Sequence, residues 1–297
     1  MLTISQVLSP DTISRLNNLF LKAKFVVEGF IVGLHKSPYH GFSIEFSEHR
    51  AYGKGDAIKH IDWKLWAKTD KYFIKQFEEE TNLKSYILLD QSASMNYKSN
   101  QISKLDYSKL IAASLGYLML KQQDAIGLTL FDNQIRYQIR PKSKRSHLYA
   151  ILSKMEKIKV REQTHISPVL HKTAEIIKKR GLIILISDLF DDPKKVMAGL
   201  KHFRYNGHEV IVFHILDQQE MNLNFNKRTR FKDLETGNEI ITDPWHIKND
   251  YKKSMKKFCN YYKMQCRQNK IDYVMLTTNT SLDIVLSEYL LKRKKLN

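Results

Sequence analysis

The sequence predicts an α/β fold, a mostly parallel sheet with helices on both faces, plus a small N-terminal α+β lobe. Three observations carry the prediction. From residue 85 onward, five short, nearly continuous apolar runs recur, at residues 86–90, 126–131, 182–187, 210–216 and 271–276. Runs apolar on both sides of the pleat suit strands buried on both faces, which is how parallel strands sit. Amphipathic segments lie between them, at 104–122, 146–158, 167–180, 193–205 and 245–268, with a last one at 281–295. That alternation is the signature of crossover helices covering a sheet.

The remaining elements follow in chain order. A first helix is expected after Ser9 or Asp11 as cap, with Ile13, Leu16, Leu19 and Phe20 on its apolar face. After it come glycines and aromatics, an alternating "FSIEF", the turn "YGKGD", a tryptophan-bearing "HIDWKLWAKTD" and a strand-like "YFIKQFEE". These make residues 1–84 an N-terminal helix and α+β lobe, and residues 85–297 the main domain. The runs 126–131 and 135–139, joined by "DNQ", read as a hairpin that places one antiparallel strand at a sheet edge. A second, polar hairpin is expected in "RFKDLETGNEIIT", turning at Gly237-Asn238 before the long helix. No Pro/Gly/Ser linker divides the two parts, so they are expected to form one rigid unit.

Composition excludes several classes. Hydrophobic residues make up 42% and charged residues 27%, a globular balance rather than a disordered one. No apolar run approaches the ~20 residues of a spanning helix, and the start lacks a signal-peptide pattern. Cys259 and Cys266, seven apart in a helical segment, suit free thiols in a reducing compartment, so a cytoplasmic protein is expected. The net charge is +18, but lysine outnumbers arginine 37 to 12 and the basic residues are spread along the chain. Specific phosphate and base recognition leans on arginine's planar fork. Solvated lysine faces, with no specific nucleic-acid binding, are therefore the expectation. The eleven histidines form no H-E-x-x-H or Cys/His pairing of a zinc site.

Chemistry concentrates at strand ends. In open parallel sheets, ligands bind beyond the carboxyl ends of the strands. The first candidate cluster is Asp90, Ser92 and Ser94 in "LLDQSASM", directly after the first central strand. The second lies in "REQTHIS", where Thr164 or Ser167 offers a hydroxyl, and the third is Asp188 after "LIILIS". Two carboxylates with hydroxyls suit a hard cation that takes oxygen ligands and keeps waters, so Mg²⁺ is the natural choice, with Mn²⁺ or Ca²⁺ as substitutes. Few direct carboxylates leave such an ion electrophilic and open to a partner's acidic group. The plainer alternative is that residues 90–94 form only an Asx turn and cap. Ser92 does not lie in G-x-S-x-G, and neither G-x-G-x-x-G nor a Walker sequence follows any strand.

These residues carry a resemblance. Asp90-x-Ser92-x-Ser94, then a distant threonine, Thr164, and Asp188 after a strand, resembles the metal-ion-dependent adhesion site of von Willebrand factor A domains. "EFSEHRAYGKGDAIKHIDWKLWAKT", followed by "FIKQFEEE" and "LLDQSASM", is similar to the bacterial family called domain of unknown function 58. The resemblance implies a von Willebrand A-like, Rossmann-type sheet with a metal held by Asp90, Ser92, Ser94, Thr164 and Asp188. It also implies a MoxR-type AAA+ ATPase as partner, an acidic client protein, and a part in the assembly or maturation of other proteins. Membrane-associated partners fit it too, although no transmembrane segment is visible here. Lys68 stands where the family carries arginine, and "EQTHIS" lacks the glycine that precedes its threonine.

The expected function is thus a non-enzymatic, Mg²⁺-dependent protein-binding module. Two alternatives are a Mg²⁺-dependent phosphoesterase using Asp90 and Asp188, and a nucleic-acid-binding scaffold. Against the first, no general base obviously joins the cluster. Upstream, Arg50, Asp56, Asp62 and Lys68 alternate in sign beside Trp63 and Trp66, which suits an ion-pair network docking the lobe on the sheet. A partner-binding surface is the other reading of that stretch.

Overall fold

The fold was analysed in a computed structural model, which describes residues 10–14, 18–36, 49–53, 63–75, 83–158, 165–225, 227–234 and 237–294. The main sheet uses β3 (Lys84–Asp90), β4 (Ala125–Phe131), β5 (Ile135–Lys142), β6 (Leu182–Ser187), β7 (Glu209–Leu216) and β10 (Asp272–Thr277). Before it come α1 (Pro10–Ser14), α2 (Leu19–Lys36), β1 (His49–Ala51), α3 (Trp63–Thr69) and β2 (Phe73–Lys75). The crossovers are α4 (Lys104–Lys121), α5 (Arg145–Glu156), α6 (Ile166–Ile176), α7 (Pro193–Tyr205) and α9 (Pro244–Gln268). A short α8 (Gln218–Asn222), the hairpin β8 (Thr229–Lys232) and β9 (Glu239–Thr242), and the final α10 (Leu282–Lys294) complete the chain.

The sheet runs β10-β7-β6-β3-β4-β5, parallel throughout except for β5, which pairs antiparallel with β4 at the edge. The predicted sheet, both hairpins and the antiparallel edge are all present. Every residue of β6 is buried, as a strand covered on both faces requires. Alternate side chains feed two cores. Ile87, Leu89, Ile184 and Ile186 join Leu110, Ile111 and Tyr289 on one face. Leu88, Ile183 and Leu185 join Leu170, Phe203 and Tyr262 on the other. The two cysteines are free and buried.

The N-terminal region differs from expectation. In place of one helix around residues 13–20, the chain makes α1 and then the longer α2, which Asn18 caps by accepting from the Phe20 and Leu21 amides at 2.7 and 3.3 Å. Leu19, Ala23, Val26, Val27 and Phe30 form a buried stripe that belongs to the same core as α4 and α10. The stripe is valine-rich and glycine-flanked, so local propensity understates the helix and packing on α4 makes it. Glu28 accepts from the Tyr117 hydroxyl at 3.2 Å, and Glu156 accepts from the Leu19 amide at 3.2 Å.

This contact, rather than the tryptophans, is what the described residues show joining the N-terminal region to the sheet domain. Trp63 is 53% exposed, and Trp66 faces solvent stacked on Tyr72. Arg50 lies in β1, which pairs with β2; Asp56, Asp62 and the "FSIEF" strand lie outside the described residues. Among the described residues, no helix is long and apolar enough to cross a membrane.

Truncating a buried stripe residue leaves a cavity, whereas truncating an exposed ring leaves none. Phe30→Ala should therefore cost about 3–5 kcal/mol, and Trp63→Ala should stay within about 0.5 kcal/mol of wild type. Urea unfolding followed by circular dichroism checks both, and the reverse order would place the anchoring contact in the tryptophan stretch.

Candidate metal centre

β3 and β6 lie side by side, and from that line the sheet grows outward in opposite directions, to β5 on one side and β10 on the other. Where strand order reverses, the two flanking loops part and a crevice opens beyond the carboxyl ends. Asp90 ends β3, Ser187 ends β6, and Asp188 follows immediately. All three are completely buried.

The first loop is built on Asp90. Its Oδ1 accepts from the Ser92 amide at 2.9 Å, closing an Asx turn. Its Oδ2 accepts from the Ser187 hydroxyl at 2.6 Å, which ties the ends of β3 and β6 together. A single turn of 3₁₀ helix at Ser94–Asn96 follows, pinned by fully buried Met95. The turn brings the Ser92 and Ser94 hydroxyls to 3.1 Å from each other, as expected of side chains at alternate positions.

The second loop is held by its backbone. Leu189 has φ 57°, a left-handed conformation costly for leucine, and it is fully buried. The Ser187 hydroxyl accepts from its amide at 3.0 Å, while its carbonyl accepts from the Tyr262 hydroxyl at 3.2 Å. The carbonyl of Asp188 accepts from Nε2 of His214 at 2.8 Å, and His214 Nδ1 takes the Tyr273 hydroxyl at 2.6 Å. Burial holds the His214 ring neutral, with its pKa lowered to about 4. The Asp188 side chain accepts from the Phe190 amide at 3.3 Å through Oδ1 and from the Lys104 ammonium at 2.8 Å through Oδ2.

Lys104, at the start of α4, has no exposed side-chain surface and also donates to Glu220 at 2.6 Å. Its ammonium stands 4.8 Å from the centre of the Phe190 ring. Burial alone pushes this ammonium toward neutrality, but Asp188 and Glu220 outweigh it and the net shift is upward. Glu220 in turn accepts from the Asp217 amide at 2.8 Å in a capping box on α8, and Asp217 accepts from the Ser99 amide at 3.0 Å.

Two carboxylates, Asp188 and Glu220, thus face one ammonium, and Asp90 feels the charge of Asp188. The imbalance falls on Asp90, whose carboxyl is pushed up to about 7, first by burial and then by the charge of Asp188, against the opposing hydrogen bonds from Ser187 and Ser92. The donor set fits a hard divalent cation. Two adjacent hydroxyls offer neutral oxygen ligands, and each carboxylate oxygen already holds one protein donor, leaving a further lone pair suited to a metal-bound water. Among the described residues no cluster of three or more His, Cys, Asp or Glu forms.

Thr164 lies outside the described residues. The Ser167 hydroxyl donates to the Lys195 carbonyl at 2.9 Å and joins α6 to α7. The loop after Asp188 reaches the same helix, where Asp191 accepts from the Ile166 amide at 2.8 Å. Sequence reasoning missed Lys104, Ser187, Glu220 and His214. Only Glu220 had a local signal, the Asp217-x-x-Glu220 capping box; Lys104 reads as an ordinary first-turn lysine, and its role exists only in three dimensions.

The described family of the matching profile is "Protein of unknown function DUF58", over residues 48–258. An uncharacterized protein of Mycobacterium tuberculosis and another of Mycobacterium bovis are each 23% identical over 240 residues, covering 79% of this chain and 75% of theirs. Among solved structures, conserved hypothetical protein BatB from Bacteroides thetaiotaomicron superposes with a TM-score of 0.50 at 18% identity, covering 71% of this chain and 98% of that one. The VWA domain of SpRpn10 gives 0.36 at 13% identity, covering 69% and 95%. The BatB likeness speaks to the fold.

The Asp90 shift makes a pH prediction. Unfolded, this carboxyl titrates near its ordinary 3.8; folded, it holds its proton to about 7. Between those values the folded state retains a proton that the unfolded chain has released, so this group's contribution to stability falls as pH rises. In EDTA, the urea midpoint of wild type relative to Asp90→Asn should drop from pH 4 to pH 7 and then level, and parallel profiles for the two proteins would show that Asp90 carries no such strain.

Proposed function

From the premise that this chain belongs to the DUF58 family, whose description assigns no activity, we propose that it is a non-enzymatic, Mg²⁺-dependent protein-binding module. One observation carries the proposal: two serine hydroxyls 3.1 Å apart stand beside a buried carboxylate at a strand-order reversal, with a second buried carboxylate on the neighbouring strand end. Ser92 and Ser94 would be the direct ligands, Asp90 and Asp188 would hold the ion through water, and Thr164 would complete the protein side. Bound there, the ion supplies a Lewis-acidic position open to a carboxylate from a partner. Mn²⁺ or Ca²⁺ could take its place.

The chain's own residues do the rest. Ser187 and the Ser92 amide fix the Asp90 carboxylate, and the Asx turn holds the two hydroxyls 3.1 Å apart. His214 and Lys104 hold Asp188 by its carbonyl and its side chain. Because neither serine carries charge, the ion keeps most of its own, and an incoming carboxylate gains more than a water does. The family resemblance of the sequence suggests a MoxR-type AAA+ ATPase as partner and an acidic client in protein assembly or maturation, in the cytoplasm or against membrane-associated proteins.

Phosphoester hydrolysis has less support. The groups near the carboxylates that could act as a base are engaged, His214 on both ring nitrogens and Glu220 by Lys104 and the Asp217 amide. A nucleic-acid scaffold has no specific observation in its favour.

Ser92→Ala removes one ligand and leaves the buried strand intact. It should weaken Mn²⁺ binding, read by electron paramagnetic resonance with Mg²⁺ in competition, by about 10–100-fold, with an unchanged circular dichroism spectrum. Capture of a MoxR-type ATPase should fail in EDTA and with this variant. Capture and Mn²⁺ binding indifferent to both would mean that the serines only shape a turn.

A further inference from the structure

Lys104 holds the Asp188 side chain in the binding reading, but that leaves the effect of its charge on the site unexplained. Its ammonium is fully enclosed, although lysine is almost never buried without strong compensation. It is also fixed at both ends. The Lys104 amide donates to the Tyr97 carbonyl at 3.1 Å, in the turn that carries Ser94, and Ser103 caps the helix behind it by accepting from the Asp106 amide at 3.0 Å. Glu220, which receives the other side of the ammonium, is itself locked by the Asp217 amide.

We propose that Lys104 is the internal counter-cation of this centre, set in place by Glu220, and that it lowers the affinity of the site for a divalent ion by drawing on Asp188. The proposal rests on the reading of the site as a divalent-cation site. The physical reason is competition within one low-dielectric pocket. The ammonium lies 2.8 Å from one oxygen of Asp188, so the negative charge that a metal and its waters would draw on is already shared. Two cations beside one carboxylate also repel each other, with little water between them to screen the repulsion. Glu220 works in the opposite direction. It takes half of the ammonium's attention at 2.6 Å and adds a negative charge of its own. A lysine serving only as structural cement would show no such opposition between its two partners.

The opposition gives the test. Mn²⁺ binding to the full chain is measured by electron paramagnetic resonance at low ionic strength, with circular dichroism as the check on folding. Lys104→Met should bind Mn²⁺ about tenfold more tightly than wild type, and its thermal midpoint should rise more on adding Mn²⁺. Glu220→Gln keeps the size and the capping acceptor, but leaves the whole ammonium to Asp188. It should bind several-fold more weakly. If Lys104→Met does not fold without metal, Glu220→Gln decides alone. Wild-type affinity in the folded variants overturns the role of Lys104 and leaves the metal reading standing. Absence of Mn²⁺ binding in wild type and both variants overturns both. Binding by Lys104→Met but not by wild type supports the proposal in its strongest form, a site closed by its own lysine.

Discussion

Asp90 and Asp188 are two carboxylates buried next to each other, and much of the surrounding structure answers that arrangement. Left alone, such a pair is expensive to keep charged inside a protein, because each disfavours ionisation of the other and neither is hydrated. The fold meets the cost with Ser187 and the Ser92 amide on Asp90, and with Lys104 and the Phe190 amide on Asp188. The account does not fully balance within the protein, which is why the Asp90 carboxyl stays raised. In the proposed reading this raised carboxyl, with the paired Ser92 and Ser94 hydroxyls beside it, is a preparation for a cation.

That preparation depends on rigid supports well behind the loops. The strand ends are brought together by parallel pairing of β3 with β6, with Leu89 opposite Ile186 one residue before the Asp90–Ser187 bond. The left-handed leucine after Asp188 is sustained by its burial and by Tyr262 from α9, while His214 from β7 fixes the carbonyl between them. Lys104 and Glu220 connect the two loops to α4 and α8. Changes in the position of α8 therefore reach Asp188 through a single ammonium, and α8 is followed directly by the β8–β9 hairpin. The hairpin carries Ile240 and Ile241 largely exposed.

The N-terminal region illustrates a different balance. Helix α2 is weakly encoded by its own residues, yet five of its side chains are part of the main core. Its contribution is tertiary, a lid over α4 that closes one face of the sheet. The tryptophan-bearing α3, which looks like an anchor by composition, keeps its rings at the surface. Aromatic residues mark places where burial is valuable, but only the surrounding surface decides whether it occurs.

Periodicity in the sequence was sufficient for the sheet, its crossover helices, both hairpins and the antiparallel edge, because runs such as "LIILIS" and "YILLD" can be satisfied only by burial on two faces. The same reasoning placed Asp90, Ser92, Ser94 and Asp188 at strand ends, since side-chain type and position relative to a strand are local properties. The order of the strands was not local. It took the packed sheet to set β3 beside β6 and bring residues 90 and 187 within 2.6 Å. Nor could any spacing reveal that Lys104, 84 residues from Asp188 and 116 from Glu220, would lie between them. A charge is chosen by its neighbours once water has been excluded, and exclusion of water is a property of the folded whole.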